Sequence, residues 1–266
     1  MTPVPPTVPQ TPALPPLVAV AHGSRDPRAA AVVADLMALV RARAHRSGLT
    51  GLQARAAFLG HALPSVPDVI ESLPVSGDRS VVALPLLLTG AYHSDTDLPA
   101  VLHEARSRRR WLQISYGRPL GPHSGLLHAL DRRLAEAGMP APEADTAVVL
   151  AAAGSSRPDA NAAVTRVAAA WQAARGWRAV VPAYASAASP TPAEAVTALR
   201  RGGAPRVAVA TYLLAPGVFA DQVRNASLAA GATAVSAVLG AAPEVADVVV
   251  ERYLEAVSEA ELVRAS

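Results

Sequence analysis

LVAVAHGSRDPR, residues 17–28, is answered far downstream by VLAAAGSSRPDAN, residues 149–161. Each copy opens on a short unbroken apolar run, the pattern of a strand buried on both faces of a parallel sheet. In the first copy Gly23 and Ser24 make the turn, Asp26 stands as an N-cap, and Pro27 takes the first helical position. Val32, Val33, Leu36, Leu39 and Val40 then keep helical spacing. Arg41, Arg43 and Arg46 crowd the last turn and Gly48 closes it. Strand, turn, helix and stop are thus all signalled locally, and signalled twice along the chain.

Two further correspondences extend the repeat. FLGHALPSV at 58–66 matches YASAASPTP at 184–192, and PLLLTGAYHSD at 85–95 matches TYLLAPGVFAD at 211–221. The copies differ in one residue type. All seven histidines lie between His22 and His128, and Ala153 and Phe219 stand where the first copy has His22 and His93. A shared scaffold with imidazole on one side points to a single working site, built on the first half and completed by the second.

Strands and helices alternate throughout. Strands are expected near 52–58, 81–88, 111–116, 146–152, 178–184, 206–214 and 233–239, and helices near 65–73, 98–109 and 124–137. This alternation predicts an α/β protein of two similar doubly wound parallel-sheet domains. The expected division is a Pro-rich disordered tail over 1–16, a first domain over 17–138 and a histidine-free second domain over 146–266. In such sheets ligands sit beyond the carboxyl ends of the strands. His22 follows the first strand directly and His93 follows the third by a few residues, so both are expected at one rim, in the cleft between the domains.

Composition excludes several chemistries. With no cysteine there is no thiolate metal site, iron-sulfur cluster or disulfide framework, so any metal rests on imidazole, carboxylate or water. That fits a reducing cytoplasm. The N-terminus lacks a basic start and a long apolar core, and no membrane segment is expected. All 24 basic residues are arginine. Up to Arg133 there are 14 arginines against 9 acids, while the rest has 10 against 12. RSRRRW at 106–111 reads as a solvated helix end rather than a nucleic-acid stripe. No Walker or dinucleotide fingerprint occurs, so nucleotide binding is not expected. A positive first half helps attract an acidic small molecule.

Within AHGSRDP, His22 is either a metal ligand or base at the cleft mouth, or a polar residue closing a turn. Gly23 and Ser24 can offer donors to an anion beside the helix start, and Arg25 can pair a carboxylate. In GAYHSDTDLP, residues 90–99, His93 projects from a Gly90 turn. Asp97 either orients an imidazole or caps the next helix. His45, His103, His123 and His128 read as solvent-facing or structural.

These segments resemble the sirohydrochlorin chelatases of the CbiX and SirB type, within the class II chelatases. AHGSRDP, AFLGHALPSV at 57–66 and PLLLTGAYHSDTDLP at 85–99 carry the resemblance, and the fused form with one half stripped of histidine looks like that family's long version. The resemblance implies that His22 and His93 bind an incoming divalent metal. It also implies insertion of Fe²⁺ into sirohydrochlorin to give siroheme, a chemistry that requires no organic cofactor. Co²⁺, for the cobalamin route, is the alternative. A monomer or weak homo-oligomer is expected. Many members carry a glutamate in the segment where this chain has Gly60 and His61. His61 is therefore either a third metal-facing group or a surface residue at a helix start. Two other classes remain open: a histidine phosphatase, which wants arginine where Ala21 stands, and a non-catalytic protein that stores metal or tetrapyrrole.

Overall fold

The computed structural model describes residues 14–74, 80–89, 98–109, 111–140, 142 and 144–265. β1 (Leu17–Ala21) is buried along its whole length and pairs in parallel with β2 (Ala54–Phe58) on one side and β3 (Ser80–Pro85) on the other. β4 (Gln113–Tyr116) adds outside β3, giving the order β2-β1-β3-β4. The second half repeats this as β6-β5-β7-β8, from β5 (Thr146–Ala152), β6 (Ala179–Tyr184), β7 (Arg206–Tyr212) and β8 (Ala234–Val235). Even the strand ends agree: Ala21 is opposite Phe58, and Ala152 is opposite Tyr184. The two parallel sheets read from sequence are therefore present. In each, the crossovers leave the central strand in opposite directions, which opens a crevice at the strand ends.

Alternation along the strands divides the core into three. Val18 and Val20 face an outer layer made by α2 (Val66–Ser72) and α3 (Leu98–Arg108). Ala147, Val149 and Ala151 face the corresponding outer layer, which includes α6 (Pro192–Arg201) and α7 (Val218–Ala229). Leu17, Ala19 and Ala21 from one sheet and Val148, Leu150 and Ala152 from the other share a single central core. It is filled by α1 (Pro27–Arg46), α4 (Ser124–Glu136), α5 (Pro158–Arg175) and α8 (Pro243–Ala265).

The last helix of each half serves the other. α8 packs on α1, β3 and β4 of the first half, and α4 packs on β7 of the second. Val245, Val248, Val249 and Tyr253 of α8 are buried, at roughly 1.5–3 kcal/mol for each large apolar side chain. Polar ties follow the same exchange. Trp171 Nε1 donates to Asp131 at 2.9 Å, and the Arg252 guanidinium donates to the Pro122 carbonyl at 3.1 Å.

Local expectations hold with three adjustments. Leu14 to Pro16, expected in the tail, belong to the fold: Val82 N–H donates to the Pro16 carbonyl at 2.9 Å and the Tyr253 hydroxyl to Pro15 at 2.8 Å. The strand expected to reach residue 88 ends at Pro85, and the Leu86 N–H makes a further bond to β1, donating to the Val20 carbonyl at 2.8 Å. The strand expected over 233–239 is two residues long, because at Ser236 a hydroxyl takes the Thr211 N–H and turns the chain out of register. Among the described residues, no helix is long and apolar enough to cross a membrane.

Candidate active site

The strand ends of both sheets open onto one cleft of about 730 Å³. That volume lies in the range of small-molecule and cofactor sites. Its walls are residues 21–24 after β1, 86–89 after β3, 152–156 after β5 and 212–220 after β7. Each of the two crevices predicted by the sheet order is thus half of a single cavity.

His22 leaves the end of β1, lines the cleft and is exposed. Gly23 has φ +91°, and a Cβ on it would lie 1.7 Å from the Gly60 carbonyl oxygen. Only glycine lets the turn after β1 lie this close to the turn after β2. The pair is laced by Leu59 N–H to Ala21 (3.0 Å) and Gly60 N–H to His22 (3.1 Å). The next residue, His61, adopts the left-handed conformation at φ +61°, uncommon for a residue with a Cβ. The result sets the His22 and His61 rings edge to face, centroids 6.4 Å apart and planes at 72°.

This spacing suits a shared ion. Metal–imidazole bonds of about 2.0–2.1 Å put ring centroids about 5–6.5 Å apart, depending on the angle at the metal. His93 and Asp97 lie outside the described residues, as does Gly90. The chain that leads toward them, from Leu86 to Thr89, runs along the cleft wall.

The remaining residues singled out from sequence divide in role. Ser24 Oγ accepts from the Asp26 N–H at 3.1 Å, shaping the turn. Arg25 is exposed and, among the described residues, has no ion pair or hydrogen bond. Asp26 caps α1, taking the Arg28 N–H at 2.9 Å. Arg28 also reaches the carboxylate of Asp221 on α7, at 2.6 Å, and so joins the two halves across the cleft mouth. Hydrogen bonding from Arg28 holds the Asp26 carboxyl below the usual carboxylate range. His123 is structural: it accepts the Gly125 N–H at α4 and stands 3.0 Å from Glu251.

The second half lines the other side of the cleft, and Tyr212 and Asn161, to which the sequence reading gave no role, help to shape it. Tyr212, buried at the end of β7, donates to the Leu88 carbonyl at 3.1 Å and so holds the exit of β3. Burial pushes its hydroxyl pKa up. Asn161 secures the turn after β5 through Ser155, accepting at 3.0 Å and donating at 2.7 Å. The repeat alignment did signal Phe219, which lines the same cleft as His22.

The CbiX family model matches residues 16–137 and 147–256. The chain is 30% identical over 208 residues to a sirohydrochlorin cobaltochelatase of Priestia megaterium, covering 77% of this chain and 66% of that protein. It is 26% identical over 168 residues to a sirohydrochlorin ferrochelatase of the same organism, covering 63% of each. The chain thus spans just under two thirds of the length of these relatives. Among solved structures, SirB from Bacillus subtilis with Fe³⁺ superposes with a TM-score of 0.77 at 25% identity, covering 93% of this chain and 97% of that one.

Proposed function

This chain belongs to the CbiX family, and we propose that it inserts a divalent metal, Fe²⁺, into sirohydrochlorin to form siroheme. The observation that carries this reading is the pair of imidazoles just beyond β1 and β2: His22 lines the shared cleft, and the His61 ring lies beside it with centroids 6.4 Å apart. Neutral imidazoles hold a borderline divalent ion yet release it, where thiolates bind harder. His93 completes the ligand set, and Asp97 orients it.

In the reaction one M²⁺ enters the macrocycle and two pyrrole N–H protons leave, so charge and protons balance without an external energy source. An imidazole that has handed on its metal accepts a departing proton. Arg25, exposed next to the cleft-lining Ser24, pairs a substrate carboxylate, and the Gly23 and Ser24 turn supplies donors beside it. The described walls of the cleft come from both halves of one chain, in keeping with a monomer or weak homo-oligomer. A cytoplasmic setting and the absence of an organic cofactor complete the reading.

Co²⁺ is the second reading, favoured by the greater identity and coverage of the cobaltochelatase match. Anaerobic incubation with sirohydrochlorin and each metal separates the possibilities. The proposal expects many turnovers and their loss in His22→Ala. Product that stops at one equivalent per chain makes this a storage protein, and full activity in His22→Ala removes the site assignment.

A further inference from the structure

The two walls of the cleft differ at matched positions. The first half presents His22 among apolar neighbours such as Phe58 and Leu86, whereas Ala153, Ala187 and Phe219, the second-half counterparts of His22, His61 and His93, line the cleft with apolar groups alone. Phe219 and its neighbour Val218 are large hydrophobics left 45% and 77% exposed. Apolar side chains gathered in a concave site mark a surface meant to be covered. Asp221, two residues further along the same helix, is neutralised by Arg28 at 2.6 Å, so its charge does not turn an acidic ligand away from this wall.

From this asymmetry we propose that Phe219 contacts the tetrapyrrole directly, its ring stacking on the macrocycle face turned away from the metal. The inference rests on the chelatase reading and adds a division of labour. The first half holds the ion, and the second half holds the flat apolar body of the substrate over it. A phenyl ring suits this task, since offset stacking on a π system adds to simple burial. Its place in the first turn of α7, immediately after the β7 loop, fixes it on a rigid element.

The test separates the two ligands. Binding of metal-free sirohydrochlorin is followed by its fluorescence, and binding of Co²⁺ alone by absorbance, in the wild type, Phe219→Ala and Phe219→Tyr. Loss of the ring should weaken sirohydrochlorin binding about ten-fold, with Co²⁺ affinity unchanged and the tyrosine variant restoring the wild-type value. Equal sirohydrochlorin binding by Phe219→Ala and the wild type overturns the inference while leaving the chelatase reading intact. A parallel loss of Co²⁺ affinity also overturns it, because Phe219 then acts through the metal side. A wild type that binds and metallates no sirohydrochlorin removes both.

Discussion

The turn after β1 and the turn after β5 have the same backbone and different chemistry. Gly23 and Gly154 have φ of +91° and +84°, and His61 and Ala187 have φ of +61° and +58°. Gly60 N–H donates to the His22 carbonyl in one half, and Ser186 N–H to the Ala153 carbonyl in the other. The left-handed residue therefore belongs to the scaffold and does not exist to serve the imidazole. What distinguishes the halves is which side chains the shared backbone presents to the cleft.

Substituting both glycines tests this most severely. A Cβ would fall 1.7 Å from the Gly60 oxygen in Gly23→Ala and 2.0 Å from the Ser186 oxygen in Gly154→Ala. Each should cost more than about 3 kcal/mol in denaturant unfolding. Only Gly23→Ala should also lower Co²⁺ affinity, by about 100-fold or more. Equal loss of metal by both would mean the halves are not chemically distinct.

The left-handed position gives a finer comparison. His61→Gly and Ala187→Gly should each stabilise the fold by about 0.5–1 kcal/mol, because glycine relieves the strained φ. His61→Gly alone should weaken metal binding, about 10- to 100-fold. A gain in stability accompanied by unchanged Co²⁺ binding in His61→Gly would return His61 to the surface role.

The contact between halves is probed by Tyr212→Phe, which leaves the Leu88 carbonyl without its donor. The expected loss is about 1–2 kcal/mol in denaturant unfolding, and no loss would show that Tyr212 does not tie the halves together. The smallest effect concerns the mouth. The Asp26 carboxyl is held low by Arg28, so its contribution is present above the ordinary aspartate range and is lost as pH falls through the depressed value. Asp26→Asn should flatten the acid side of a plot of Tm against pH, and an unaltered profile would remove the pair from the account.

Much of this architecture is written locally. The apolar runs at 17–21 and 146–152, the Asp26-Pro27 helix start and the match of 58–66 to 184–192 each specify structure within a few residues. The exchange of α4 and α8 is not written that way, because helical periodicity says that Leu130 or Val249 is buried without saying against which sheet. The nearness of His61 to His22 needed the register of β1 on β2, which sets Ala21 opposite Phe58 and leaves the residues just beyond them as neighbours. Against the family pattern alone, His61 reads equally well as a replacement for the glutamate or as a surface residue.

The central claim is that His22 and His61 grip one ion. Equilibrium Co²⁺ titration of the wild type, His22→Ala, His61→Ala and the double variant tests it as a thermodynamic cycle. The account predicts one ion per chain, weakened binding in each single variant, and a double variant weaker by less than the sum of the two. Strictly additive losses, two independent ions or unchanged binding in either single variant would contradict it.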